Sequence, residues 1–182
     1  MTVWVNRNEG RQVVAQRGSV SKAEHEMMDV EDEMPVDPQM LISALRVLLA
    51  DVISMSLRAQ GFHWNVRGAD FAQYHELFGA IYEDVYGSVD GVAENILKSG
   101  GVAPFRLPEL MALRTIVDVP VASPLPADLA ADLLAANDVV LASLKMAYEV
   151  AGDVESEGVE NFIAERIDQH DKWRWQLSAS IA

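Results

Sequence analysis

The sequence predicts an all-α fold, a bundle of four long helices in which a long crossover joins the second helix to the third. Three observations carry this expectation. Apolar residues recur on one side of two long stretches, the period of a helix that buries one face, and two further stretches, the first rich in Ala and Leu, have helical length. Helix-start and helix-stop residues stand at the edges of those stretches. Four of the seven prolines, Pro104, Pro108, Pro120 and Pro124, fall in a single connection, too many for a helix to run through it.

Asp37-Pro38 begins the first helix, with Asp as N-cap and Pro at the first helical position, where its missing N–H is no loss. Leu41, Leu45, Leu48, Leu49, Val52, Met55 and Ser56 form the inner stripe, which runs to about His63 and breaks at Asn65 to Gly68. Asp70 is the expected cap of a second helix, one continuous element from Phe71 to about Lys98. Leu77, Phe78, Ile81, Val85, Val89, Val92 and Ile96 lie on its inner side, and Ser99-Gly100-Gly101 stops it. Gly79, Gly87 and Gly91 each weaken this helix by about 1 kcal/mol relative to Ala, so tertiary packing must hold it. Residues 102 to 125 form the crossover, with a short helix over Leu107 to Arg114. The third helix spans Ala127 to Val150, Gly152 to Gly158 is an acidic turn, and the fourth helix runs from Val159 to about Ser180. Two short links flanking one long connection make the second and third helices parallel, as in ferritin-like bundles.

Half of the 182 residues are apolar, enough for one core, assigned here to a domain over residues 37–182. Residues 1–36 lack an apolar period and read as a flexible N-terminal arm with a short helix near Ala23 to Asp32. There is no cysteine, so disulfides and thiol chemistry are excluded, and a metal must be held by oxygen and imidazole. No uninterrupted apolar run approaches the roughly 20 residues of a membrane span, and no signal pattern opens the chain, so the expectation is a soluble cytoplasmic protein without a membrane partner. The formal charge of −14 repels nucleic acid and attracts cations. Its distribution is uneven. Residues 1 to 22 carry Arg7, Arg11, Arg17 and Lys22 against Glu9, a charge of +3, whereas residues 23 to 37 carry seven acids and no Lys or Arg, a charge of −7.

The chemistry-bearing residues gather on the second helix and its approach: His63-Trp64-Asn65-Val66-Arg67-Gly68, Phe71, His75-Glu76, Tyr82, and Asp90 with Glu94. Asp90 and Glu94, four apart, share one helical face, where two carboxylates repel unless a cation or base neutralises them. His63 and His75 flank a turn and can approach each other. The chain has no Glu-x-x-His, which rules out a di-iron site drawn from its own four helices. His75 and Asp90 lie about 22 Å apart along one helix at 1.5 Å per residue, so they cannot share a metal within a chain. A centre containing both requires a two-fold dimer that runs the helices past one another.

This pattern closely resembles the Dps family, ferritin-like mini-shells named as DNA-binding proteins from starved cells. The resemblance rests on Phe62-His63-Trp64-Asn65-Val66-Arg67-Gly68, Phe71, His75-Glu76, Tyr82, Asp90, Ala93-Glu94 and Gly100-Gly101, with Glu165-Arg166, His170-Asp171-Lys172 and Trp175 in the last helix. It covers about residues 38 to 180. It implies His63, His75, Asp90 and Glu94 as iron ligands of a ferroxidase centre between two-fold-related subunits. It also implies Trp64 and Trp175 beside the iron, intercepting oxidising equivalents. Asp153 and Glu157, with Glu155 and Glu160, fall where Dps shells line three-fold pores that draw in ferrous ions; an exposed acidic turn at a helix N-terminus is the alternative. Two positions depart from the pattern. Gly79 stands where the family often has Asp, which bears on the second iron position, and Asn95 replaces a common Arg.

Taken singly, the histidines fit capping or packing roles, the acid pair a solvated face, and the tryptophans core or interface anchors. Within the whole motif the metal reading prevails. The resemblance then implies a dodecamer that oxidises ferrous iron with hydrogen peroxide or oxygen, stores ferric mineral and so protects DNA. The alternative is a DNA-binding or structural shell with weakened ferroxidase activity. DNA binding in the family often uses Lys-rich tails; with +3 ahead of −7 this arm is expected to bind DNA weakly or not at all, and any nucleoid association would depend on it.

Overall fold

A computed structural model describes residues 37–118, 120 and 123–182. The expected arm over 1–36, its short helix and its part in DNA binding lie outside these residues. Among the described residues every regular element is helical: α1 Pro38–Asn65, α2 Phe71–Gly87, α3 Val89–Lys98, α4 Leu107–Leu113, α5 Pro126–Asp153 and α6 Glu157–Ser180. This is the four-helix bundle the periodicity predicts, with α2 and α3 together occupying the place of the second helix and α4 the short helix of the crossover.

The start of α1 follows from its first two residues. The Asp37 carboxylate accepts the Gln39 N–H at 2.9 Å, and Pro38 stands where no intrahelical N–H is needed. From there α1 packs against α2, α3 and α5, and α5 packs against α6. Leu45, Leu48, Met55, Phe78, Ile81, Leu133, Ile163 and Leu177 are fully buried in one shared core, each contributing roughly 1.5–3 kcal/mol by leaving water.

By length and composition α1 is apolar enough to cross a membrane, although Arg46, Asp51 and Arg58 keep it from being an uninterrupted apolar run, as the sequence reading expects. Here most of that stretch is buried in the bundle, and its charges are engaged. Arg46 pairs with Glu109 of α4 at 2.6 Å, and Arg58 with Asp132 of α5 at 2.8 Å. The buried Asp51 carboxylate accepts Thr115 N–H (2.6 Å), Thr115 Oγ1 (2.8 Å), Ile116 N–H (3.1 Å) and Ser143 Oγ (2.7 Å). One side chain of α1 thereby fastens the end of the crossover to α5.

Three expectations need correction. The helix over 71–98 is not continuous: at Ser88 the N–H and the hydroxyl both go to the Val85 carbonyl, at 3.2 and 2.8 Å, and the helical ladder restarts with Val92 N–H on Ser88 O. Gly87 disfavours the helix just before the break, and the Ser88 hydroxyl competes for a backbone acceptor. The Asp70 side chain makes no capping bond; the link closes instead through Phe71 N–H on Gly68 O, with Gly68 at φ 129°. Finally, α5 begins one residue early at Pro126, again a proline in a first turn, and α6 begins two early at Glu157.

Candidate metal centre

His63 sits in the last turns of α1 and His75 in the second turn of α2, and the short link between them folds back sharply. Val66 is buried, its N–H bonded to Phe62 O at 2.9 Å, and Arg67 N–H reaches Pro124 O at 3.1 Å, so the link is held from both sides. The two imidazoles stack, with centroids 3.7 Å apart and planes at 20°. His63 Nδ1 lies 2.7 Å from His75 O, and His75 Nδ1 lies 2.7 Å from His63 O. A carbonyl oxygen only accepts, so each Nδ1 must carry the proton and each neutral ring presents Nε2 as its free lone pair. Backbone carbonyls thus set both tautomers in the form a metal requires.

Aromatic rings brace the pair. Phe71 stacks on His75 (4.9 Å, 27°) and Tyr82 sets its edge against His63 (5.4 Å, 61°). Gly79 is buried against His63: a Cβ there would stand 3.1 Å from Nδ1 and 3.3 Å from Cε1. The departure noted in the sequence therefore lies directly beneath a candidate ligand, and the ring occupies space that a side chain would need.

Asp90 and Glu94 are exposed on α3, with Glu94 Oε2 4.0 Å from Lys98 Nζ. Among the described residues no three of His, Asp and Glu converge in a way that could hold a metal ion. The structure brings His63 and His75 together and leaves both acids apart from them, as the rise along the helix requires. Trp64 and Trp175 are 65% and 67% exposed; the rings that touch the imidazoles are Phe71 and Tyr82, whose roles spacing alone had not revealed. Asp153 ends α5, Glu157 opens α6, and both are exposed. Between them Glu155 takes a left-handed conformation at φ 54°.

A second polar cluster escaped the sequence reading. Asp84 on α2 accepts both terminal nitrogens of Arg166 (3.1 and 2.7 Å) and the Trp173 indole N–H (2.8 Å). Burial alone would raise the Asp84 carboxyl, but the bonds from Arg166 and Trp173 outweigh it and hold the group below its usual value. One turn beyond Arg166, fully buried His170 faces Asn137 of α5. Asn137 Nδ2 donates to His170 O at 3.0 Å and its Oδ1 takes the His170 Nδ1 proton at 2.8 Å. Burial, then the nearby Arg166 charge, pushes His170 down to about 4, with Asp84 opposing in part.

Comparison with known proteins bears on the family and the fold. The ferritin-like domain family matches residues 42–182. The DNA protection during starvation protein of Porphyromonas gingivalis is 32% identical over 143 residues, 76% of this chain and 87% of that protein. The Dps protein of Vibrio cholerae O1, described as a member of a broad superfamily of ferritin-like diiron-carboxylate proteins, superposes with a TM-score of 0.75 at 26% identity over 80% of this chain and 91% of its own. A Dps protein from Bacillus brevis superposes equally well, with a TM-score of 0.75 at 23% identity over 80% and 97% of the two chains, a likeness of fold. On the matched domain and the full-length relative together, the chain belongs to the ferritin-like family and, within it, to the Dps mini-ferritins.

Proposed function

We propose that copies of this chain assemble into a shell, a dodecamer, in which two-fold-related subunits complete ferroxidase centres. His63 and His75 come from one subunit and Asp90 and Glu94 from the other. Ferrous iron is the substrate. Imidazole nitrogens and carboxylate oxygens suit it, and the carboxylates retain the ferric product. Hydrogen peroxide, or less efficiently oxygen, is the oxidant, and ferric mineral collects in the cavity. Asp153 and Glu157 line the route by which ferrous ions enter. Removing iron and peroxide together protects DNA in the cytoplasm, without a need for strong DNA binding by the arm over 1–36.

The observation that carries this reading is the reciprocal His63–His75 pair. Backbone carbonyls hold both rings at Nδ1 and leave each Nε2 free of that bond, and among the described residues no acids of its own chain join the pair to complete a metal site.

Anaerobic ferrous titration followed by peroxide, read by ferric absorbance, tests the proposal. His63→Ala, Asp90→Ala and Glu94→Ala should each lose rapid oxidation. Equal rates in all of them and the wild type would remove the enzymatic reading. The second reading, a DNA-binding or structural shell with weakened iron chemistry, draws support from Gly79, whose place under His63 leaves no ligand at that position. A gel shift that persists across salt concentrations, together with slow oxidation in the wild type, would favour it.

A further inference from the structure

We infer that Lys98 is a built-in counter-ion of the acid half of the iron site: its ammonium occupies Glu94 before iron arrives and hastens the departure of the ferric product. This deepens the ferroxidase reading above and rests on it.

Asp90, Glu94 and Lys98 follow one another at four-residue spacing, so they lie along one face of α3. Lys98 Nζ stands 4.0 Å from Glu94 Oε2 and donates to Asn95 Oδ1 at 3.5 Å. Asn95 is buried, which gives the ammonium a fixed acceptor beside the acid. Lys98 also lies in the last turn of α3, where the partial negative charge of the helix C-terminus favours a cation. Among the described residues no other cation lies within 4.0 Å of Asp90 or Glu94.

Both partners are exposed, so water screens the pair and it does little for the stability of the fold. Its effect falls instead on what binds Glu94. With a metal–oxygen bond of about 2 Å, an ion on Glu94 Oε2 lies within roughly 6 Å of Nζ, inside the Debye length of about 10 Å. The ammonium must yield the oxygen to the metal, and from close by it still repels the bound ion. Coulomb energy scales with the product of the charges, so Lys98 opposes a ferric ion half again as strongly as a ferrous one. The acids attract both ions. The lysine tilts that attraction toward the divalent substrate and away from the trivalent product, which promotes transfer of ferric iron to the mineral.

The test uses the full-length assembled shell, with cobaltous ion in the absence of oxidant as the probe of the ferrous position, titrated calorimetrically at low and at high ionic strength. Lys98→Gln should bind cobaltous ion roughly three- to tenfold more tightly than the wild type at low ionic strength, and the gap should close at high ionic strength. Lys98→Arg, which keeps the charge, should stay near the wild type. In turnover with peroxide, Lys98→Gln should match the wild type in the first oxidation at each site and fall behind in later ones, as ferric product lingers. Equal affinities of Lys98→Gln and the wild type at low ionic strength, equal tightening in Lys98→Arg, a gap that salt leaves unchanged, or later turnovers in Lys98→Gln as fast as in the wild type would each overturn the inference and leave the ferroxidase reading standing. Cobaltous binding that Asp90→Ala leaves unchanged would remove both. Lys98→Met, which also lacks the charge, decides the matter if Lys98→Gln does not assemble.

Discussion

Lowering the pH from 7 to 4.5 should destabilise this protein through His170, a residue remote in sequence from the proposed iron ligands. The imidazole is fully buried, its Nδ1 proton given to Asn137, and burial and Arg166 together bring its protonation down to about 4. An unfolded histidine titrates near 6.5. Between the two values the unfolded chain binds a proton that the folded chain refuses, so stability falls as pH falls. The contribution is fully present above about 6.5 and is lost on the way down to about 4. The limit is roughly 3 kcal/mol per subunit, most of which is gone by pH 4.5.

His170→Gln removes the titration and keeps a side chain able to bond Asn137. Guanidinium unfolding of both proteins at equal subunit concentration, from pH 7 to 4.5, isolates the effect, because all other side chains are common to both. Equal concentration matters, since assembly contributes to apparent stability. The wild type should lose roughly 1 kcal/mol more than the variant for each pH unit through the middle of the window. Parallel losses would show that the buried imidazole is not held neutral as the geometry requires. The effect is distinct from that of Asp84, whose lowered carboxyl contributes above its unfolded value and is lost only as pH drops through its folded one, below the His170 window.

The remaining predictions concern the crossover, the acidic turn and the assembly. Asp51→Ala strands four donors and should cost about 2–4 kcal/mol, with faster amide exchange at Thr115 and Ile116; unchanged exchange there would mean the carboxylate does not anchor the crossover. Glu155→Gly relieves a left-handed backbone and should stabilise the protein by about 1 kcal/mol, seen as a higher Tm; a lower Tm would mean that the Glu155 side chain contributes more than the strain. If the ferroxidase centre is shared across a two-fold axis, shells of His63→Ala alone or Asp90→Ala alone should be inactive. Shells reassembled from an equal mixture should regain about a quarter of the wild-type rate, since half of random pairs contain one intact site of two. No recovery would mean that each subunit uses its own residues.

Much of the fold was legible because its signals are local. Asp37-Pro38 begins α1 and Gly100-Gly101 follows the end of α3, where Gly100 takes φ 84° and Gly101 N–H reaches Ile96 O at 2.9 Å. The break at Ser88 was hidden because Val85, Val92 and Ile96 stay buried on either side of it. Hydrophobic periodicity reports which face is buried and is blind to a single shifted hydrogen bond. The pairing of His63 with His75 was half legible: spacing places both beside one turn, while their exchange of Nδ1 bonds depends on how the link folds. The Asp84–Arg166 pair and the His170–Asn137 pair unite residues 82 and 33 positions apart, and no periodic pattern encodes such contacts. Asp51 did leave a trace, as a carboxylate beside the apolar stripe of a core helix, where an unpaired charge would be costly.

The two halves of the candidate site are positioned by separate packing contacts, which explains why the glycines of the second helix are worth their loss of helical propensity. Gly79 admits the His63 ring and so sets the imidazole half. Beyond the break at Ser88, Gly91 receives Phe162 of α6: a Cβ at position 91 would lie 2.8 Å from that ring. Phe162 therefore sets how α3 lies against α6, and with it the face that carries Asp90 and Glu94. Each half is held by a close contact that a side chain would obstruct, Gly79 against His63 itself and Gly91 against Phe162 on the element that carries Asp90 and Glu94. A subunit can thus present its imidazoles and its acids in defined places before assembly, which is what a centre completed by a second subunit requires.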